Sequence, residues 1–302
     1  MAKRRAAASF LALSTADAMN GEPSLYLKDY SPRELRTRFS AEGLPAYRAD
    51  QVSAWVYRRG VEDPSAMSDL DRRTKELLIE GYRLRSLEVE EVSYARDGTV
   101  KAILAGADGQ RVEAVLIPEE ERLTLCVSSQ VGCALACSFC ATGELGFRRN
   151  LRAAEIVDQF CVMRSLLPER PITNVVFMGM GEPLLNLPAV VSAIDTLVDA
   201  KGLGLAPRRV TVSTAGLVPR ILELTRAVRT NLAVSLHAAN DELRNQLVPL
   251  NRRFPLEVLF DTLERVPRLS RRHPIFFEYT LLAGINDAPQ DAHQLLRWLR
   301  RV

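Results

Sequence analysis

The sequence predicts an α/β chain: a partial (β/α)6-type barrel with its last strand missing, preceded by a small N-terminal helical domain. Three observations predict it. Strand-like runs at 123–128, 174–179, 209–214, 231–236 and 276–282 alternate with helical stretches at 153–166, 188–200, 217–228, 255–266 and 288–301, the pattern of parallel strands with outer helices. The strands end in small or polar residues: Ser128-Ser129-Gln130, Met180-Gly181-Glu182-Pro183, Ser213-Thr214-Ala215-Gly216 and Ser235-Leu236-His237. In barrels the chemistry sits at that edge. Before residue 85 the apolar positions recur at helical spacing instead.

Taken in order, residues 1–23 read as a disordered tail. Lys3-Arg4-Arg5, the run Ala6 to Leu13 and Ala16-Asp17-Ala18 imitate a signal peptide, but Ser14, Thr15 and Asp17 interrupt it. A helical accessory domain is expected over 24–84. Ser31-Pro32-Arg33-Glu34 offers Ser as cap, Pro at the first helical position and Glu at the third. Helices around 48–59 and 68–81 follow, with Val52, Trp55, Val56, Leu77 and Leu78 as apolar positions.

A β-hairpin linker is expected over 85–118. Asp97-Gly98 and Asp108-Gly109 are turn signals, and segments 100–105 and 111–117 flank the second. In Val112-Glu113-Ala114-Val115-Leu116-Ile117, Glu113 shares a face with Val115 and Ile117. A carboxyl on an apolar face is either an edge accident or an acid–base group with a raised pKa. The residues alone favour the accident. The barrel takes 119–302. Its last helix has Asp287 as cap, Pro289 near its start, and Ala292, Leu295, Leu296 and Leu299 as an apolar stripe. No strand follows before Val302, so the barrel is expected to be truncated.

The chain has 302 residues, 47% hydrophobic and 25% charged, enough for one large domain plus a small one. A formal charge of +3 is too mild to imply a nucleic-acid partner. Yet Lys occurs only at positions 3, 28, 75, 101 and 201, so nearly all the positive charge is Arg. Arginine pairs with phosphate in bidentate fashion and stacks on bases, although the same bias can be genomic. No apolar run approaches a membrane span, so no membrane partner is expected.

Four of the five cysteines fall between Cys126 and Cys140, and the fifth is Cys161. That clustering reads as metal binding in a reducing, cytoplasmic compartment. The core motif is Cys133-Ala-Leu-Ala-Cys137-Ser-Phe-Cys140. Three thiolates hold three irons of a [4Fe–4S] cubane and leave the fourth open, whereas electron-transfer clusters usually carry four cysteines. An open iron can chelate the amino and carboxylate groups of S-adenosylmethionine (SAM). One electron then splits the sulfonium bond and yields a 5′-deoxyadenosyl radical. The rival is structural zinc with Cys126 as fourth ligand, but the Cys126–Cys133 gap is wide and a second C-x-x-C pair is missing. Gly181-Glu182 offers backbone and a carboxylate for the SAM ammonium. Ser213 and Ser235-Leu236-His237 could hold ribose hydroxyls and the carboxylate. Out of context His237 reads as a core or capping histidine.

The segment Leu125-Cys-Val-Ser-Ser-Gln-Val-Gly-Cys-Ala-Leu-Ala-Cys-Ser-Phe-Cys-Ala-Thr-Gly143 closely resembles the radical SAM methyltransferases that methylate C2 of an adenosine in 23S rRNA and of one in tRNA. Pro171-Ile-Thr-Asn-Val-Val176, Gly179-Met-Gly-Glu-Pro-Leu-Leu-Asn186, Arg209-Val-Thr-Val-Ser-Thr-Ala-Gly216, Ser235-Leu-His-Ala238, Asn240-Asp-Glu-Leu-Arg244 and Tyr47-Arg-Ala-Asp-Gln-Val52 agree too. The match runs from about Leu27 to the last residue.

The resemblance implies a radical SAM barrel with Cys133, Cys137 and Cys140 as cluster ligands. Gly181, Glu182, Ser213, Ser235, Leu236 and His237 would contact SAM. Glu113 would be the general base, which overturns the accident reading, its apolar setting raising its pKa toward neutrality. Cys126 would help resolve the enzyme–RNA adduct. The helical domain would help hold 23S rRNA and tRNA, the chain would be a monomer, and the electron would come from a donor such as flavodoxin or ferredoxin.

The family's chemistry follows from its target. C2 of adenine is electron-poor and cannot attack the SAM methyl directly. A cysteine first takes a methyl from one SAM, and the radical from a second SAM removes a hydrogen from it. The carbon radical adds to C2, a base removes the proton, and a disulfide releases the product. This chain has no cysteine after Cys161. It also lacks the sixth strand and the SAM-contacting asparagine that the resemblance implies. It is therefore expected to be truncated and methylation-deficient as given. A C8-directed rRNA adenine methyltransferase and a catalytically incomplete RNA-binding paralogue stay open as alternatives.

Overall fold

The computed structural model describes residues 25–267 and 274–302. The tail expected over 1–23 lies outside the described residues. We number the strands of the main sheet β1–β8 and the helices of about two turns or more α1–α9.

The N-terminal unit packs α1 (Pro32–Ala41), α2 (Ala46–Ser53) and α3 (Arg72–Gly81) around Leu35, Phe39, Val52, Val56 and Leu78. The expected cap forms as a capping box. The Ser31 hydroxyl accepts from the Glu34 N–H, and the Glu34 carboxylate accepts from the Ser31 N–H at 2.8 Å. It satisfies two donors that a helix start would otherwise leave open. A π-helical turn, Ala54–Arg58, extends α2. Leu25–Tyr26 pairs in parallel with Tyr82–Arg83 and closes the unit.

The main sheet has eight strands: β1 (Leu87–Tyr94), β2 (Val100–Gly106), β3 (Arg111–Pro118), β4 (Leu123–Cys126), β5 (Asn174–Phe177), β6 (Val210–Thr214), β7 (Asn231–Ser235) and β8 (Ile275–Glu278). They lie in sequence order across the sheet. β1 to β4 are antiparallel and β4 to β8 are parallel. All five expected barrel strands form. The outer helices are α4 (Ala153–Leu166), α5 (Leu187–Val198), α6 (Val218–Ala227), α8 (Leu256–Leu263) and α9 (Pro289–Leu299), with a short α7 (Asp241–Leu247) after β7.

Residues 85–118 depart from the hairpin linker. They form three strands that continue the barrel sheet, with Val115 opposite Cys126. The last helix also departs from expectation. Its N-cap is Ala288, whose N–H donates to Asp291 at 3.1 Å, while Asp287 accepts from Gly284. Its stripe is only partly covered: Ala292 and Leu296 are exposed, and Trp298 provides the anchor, stacked on Phe260 with Nε1 donating to the Ala239 carbonyl at 2.9 Å.

Helix α4 is buried at every position from Ala153 to Met163, because the sheet covers one side and the N-terminal unit the other. The seam is polar. Lys28, 2% exposed, pairs with Asp158 of α4 and with Glu62. Asp158 Oδ2 also accepts the Ser86 N–H, the Ser86 hydroxyl and the Leu87 N–H at 2.5, 2.9 and 3.0 Å. Burial lowers the Lys28 ammonium, but Cys161, Asp158 and Glu62 more than reverse that and hold it above its usual value. Helical unit, sheet and barrel thus meet on one carboxylate.

Candidate active site

The cysteines sit on a loop with a pinched stem. Gln130–Val131 pairs antiparallel with Arg149–Asn150, so the chain between them bulges out from the end of β4. Gly132 makes the pinch possible: at φ +74°, a Cβ there would lie 1.7 Å from the Gly146 carbonyl oxygen. Inside the loop the Cys140 N–H donates to the Cys137 carbonyl, and the Ser138 N–H donates to the Leu247 carbonyl, both at 3.1 Å. Leu135 and Phe139 pack on Ala215, Ala238, Leu247 and Val248.

A cavity of about 270 Å³ opens where the strands end, and Cys133, Cys137 and Cys140 line one side of it. Gly181, Glu182, Ser213, Ser235 and His237 line the rest, with Glu278 and Thr280. Burial first, then the neighbouring Cys133 and Cys140, pushes the Cys137 thiol up to about 12; a coordinating metal removes such a proton outright. Among the described residues no three His, Cys, Asp or Glu side chains close on a point as ligands of one ion do. A cubane asks for a different arrangement, with one thiolate to each iron. Three half-buried thiols on one apolar-backed loop, facing one cavity, fit that group.

Gln130 joins the two arms of the cavity. Its Nε2 donates to Asn150 Oδ1 at 2.7 Å, and its Oε1 accepts the Glu182 N–H at 2.9 Å. Gly181 lies against it at φ +97°, where a Cβ would stand 2.5 Å from the Gln130 Cβ. Gly181→Ala is therefore expected to cost about 1–3 kcal/mol of stability in denaturant unfolding. An unchanged stability would show that the turn relaxes to admit a Cβ. Glu182, 3% exposed, accepts the Leu184 N–H at 3.1 Å and the Ala215 N–H at 2.8 Å, one on each oxygen. Burial raises its carboxyl and these bonds partly offset the rise.

His237 serves structure and cavity together. Its φ is +57°, a strained value for a side-chain-bearing residue. Nδ1 accepts the Thr280 N–H at 3.1 Å, and the ring meets Phe139 edge-on at 4.5 Å. Burial, then Arg244, pushes its pKa down to about 4. The neutral ring thus carries its proton on Nε2 and is a donor there.

Comparison with known proteins gives the site its family. The model of the Radical SAM superfamily matches residues 127–299, and that of the Ribosomal RNA large subunit methyltransferase N-terminal domain matches residues 25–83. A protein of Syntrophobacter fumaroxidans named dual-specificity RNA methyltransferase RlmN is 50% identical, over 91% of this chain and 81% of its own length. The chain belongs to the RlmN family of radical SAM methyltransferases. The relative of the same name from Geobacter sulfurreducens is 47% identical, over 91% of this chain and 76% of its own. The crystal structure of a radical SAM methyltransferase from Sphaerobacter thermophilus superposes with a TM-score of 0.85 at 42% identity, covering 91% and 82% of the two chains. RlmN-family membership makes the chain an enzyme of the methyltransferase class, with a [4Fe–4S] cluster and SAM as cofactors.

Three of the residues expected in the RlmN-type site lie elsewhere. Leu236 is fully buried in the core and does not line the cavity: its N–H donates to the Glu278 carbonyl and its carbonyl accepts from Arg244, both at 3.0 Å. Cys126 does not line the cavity. It shares a sheet face with Thr124 and Val176, which line a larger cavity of about 610 Å³ at the opposite strand ends. Burial pushes its thiol up to about 11. Glu113 lies on that same face, one strand over. Its expected apolar setting is absent: Ile117 is 40% exposed, and the half-exposed Glu113 carboxylate pairs with Lys101 at 3.0 Å. A strand alternation tells which residues share a face but not whether anything covers it.

Two residues of this RlmN-family site were not legible beforehand. Arg244, 1% exposed, donates to the carbonyls of Ala215, Ser235 and Leu236 at 2.8, 3.1 and 3.0 Å and pins the ends of β6 and β7 together. Glu278 ends β8 and accepts from the Ser235 hydroxyl at 3.1 Å, with Ser213 Oγ 3.2 Å from Ser235 Oγ. Burial raises the Glu278 carboxyl, and both serines work against the rise. The sequence pattern runs this strand on to residue 282, so nothing in it marks Glu278 as the strand end that the structure shows.

Proposed function

We propose that this chain is built for radical methylation of C2 of an adenosine in 23S rRNA and in tRNA. The cavity carries the reading: it gathers three loop cysteines with Gly181, Glu182, Ser213, Ser235 and His237 at the ends of four neighbouring strands. The relatives' printed name, dual-specificity RNA methyltransferase, supports the substrate class.

Cys133, Cys137 and Cys140 would hold the cluster, which when bound supplies the electron that cleaves the SAM sulfonium bond. The Gln130-tethered turn at Gly181-Glu182 orients the amino-acid end of SAM, and Ser213, Ser235, the Leu236 backbone and His237 orient the remainder. Glu113 takes the C2 proton. Its exposure suits that role, because a base acting on a polymer must be reachable from solvent, and the Lys101 ammonium 3.0 Å away orients the carboxylate. Cys126, on the same sheet face, supplies a thiol for product release. The N-terminal unit holds RNA. Arg59 lies 3.9 Å over the Trp55 ring and Arg48 lies 4.9 Å over Tyr47, which is 52% exposed; aromatic and guanidinium planes of this kind stack on unpaired bases. No helix among the described residues is long and apolar enough to cross a membrane. A monomer in the cytoplasm, reduced by flavodoxin or ferredoxin, completes the proposal.

The test is anaerobic reconstitution of the 302-residue chain with iron and sulfide, followed by SAM, dithionite and RNA. The expected products are 5′-deoxyadenosine without methylated adenosine, because these residues hold no cysteine after Cys161 to carry the methyl group. Mass mapping that finds 2-methyladenosine would overturn the requirement for a later cysteine. A complete lack of 5′-deoxyadenosine would overturn the radical reading itself.

A further inference from the structure

One carboxylate in the cavity is engaged on only one oxygen. Glu278 Oε2 accepts the Ser235 hydroxyl at 3.1 Å. Glu278 Oε1 is buried and has no hydrogen-bond partner among the described residues. The contrast with Glu182 is direct, since backbone N–H groups occupy both oxygens of that carboxylate. A buried acceptor without a donor is unfavourable, and a ligand that brings the donor gains what the fold leaves unmet.

SAM carries three kinds of strong donor: the α-ammonium, the adenine amine and two ribose hydroxyls. With the cluster held by the cysteine loop, its open iron would take the amino-acid end of SAM, the ammonium included. That loop follows β4, whereas Glu278 ends β8 at the far edge of the parallel strands. Around Glu278 stand Ser213 and Ser235, linked through their hydroxyls at 3.2 Å. An ionised carboxylate only accepts, and a hydroxyl can both donate and accept. The trio therefore presents one fixed acceptor and two adaptable groups. That set complements a vicinal diol better than an adenine edge, whose ring nitrogens are acceptors.

We propose that Glu278 accepts a hydrogen bond from a ribose hydroxyl of SAM, with Ser213 and Ser235 fixing the carboxylate's orientation. This rests on reading the cavity as the SAM site. It adds a ligand-holding carboxylate on β8 and a reason for two serines to face each other across β6 and β7.

The test is calorimetric titration of the cluster-reconstituted chain with SAM and with its 2′-deoxy and 3′-deoxy ribose analogues. Glu278→Ala removes the acceptor, and Glu278→Gln keeps the side-chain volume if the alanine variant does not fold. Iron content and melting are checked for each protein. The unsubstituted chain is expected to bind one deoxy analogue about tenfold or more weakly than SAM, the loss typical of a hydrogen bond to a charged group. Glu278→Ala is expected to bind SAM about tenfold or more weakly and to lose that discrimination, with Glu278→Gln in between. Discrimination that survives undiminished in both variants, or is absent from the unsubstituted chain, overturns the inference while leaving SAM binding intact. A reconstituted chain that binds no SAM overturns the reading of the cavity, and the inference falls with it.

Discussion

Cys137→Ser is expected to abolish both the visible absorbance of the reconstituted cluster and all 5′-deoxyadenosine formation, with little change in melting temperature. Cys137 is the middle of the three proposed ligands, and its neighbours Leu135 and Phe139 seat that loop on the apolar patch around Val248. The loop's shape comes from that packing, the Gln130–Asn150 stem and Gly132; Cys137 packs on the same patch, and a serine of nearly equal size keeps most of its place there. A serine hydroxyl at that position does not ionise near neutral pH, so one iron loses its thiolate while the loop keeps its seat. Cys161→Ser is the matched control. Cys161 is buried in α4 and does not line the cavity, so its replacement should leave iron content unchanged. Equal iron loss in the two variants would mean that the assay reads general thiol damage rather than ligation.

Asp158→Ala is expected to destabilise the protein by about 3–5 kcal/mol, the range for removing one partner of a buried ion pair. The carboxylate is fully buried and meets Lys28, Ser86 and Leu87 at once. Without it the Lys28 ammonium keeps only Glu62, and two backbone N–H groups lose their acceptor. Asp158→Asn retains one acceptor oxygen and most of the volume, so its loss should be smaller. Urea unfolding measures both. A loss below about 1 kcal/mol for alanine would show that water or Glu62 takes over, and that the seam between helical unit and barrel does not depend on this carboxylate.

The parts legible in the sequence were those written in local patterns. The β–α alternation placed all five parallel strands because each strand and helix has its own period. Eight of the expected site residues line one cavity because a parallel barrel gathers its strand ends, whatever their separation along the chain. The misses have physical reasons too. Strand β1 carries Glu88, Glu90 and Glu91, and Leu87 is its only buried residue, so no alternating signal marks it. The ion pair between Lys28 and Asp158 spans 130 positions, and nothing local in either segment announces the other. Arg244 reads as one more surface arginine until the carbonyls at the ends of β6 and β7 are seen to need donors. Glu113 was assigned the right face but the wrong surroundings, since coverage of a sheet face is a property of the assembled molecule.

The Gln130 side chain has a consequence for precision. Its amide spans the stem of the cysteine loop and the Gly181-Glu182 turn, so both arms of the cavity are mounted on a single residue. Two independently tethered loops would wander separately, and the gap between an electron source and the bond it must break would drift with their combined motion. On a shared mount the two arms shift together and the gap between them is conserved. The enzyme can then tolerate motion of the whole rim while keeping a fixed spacing across it.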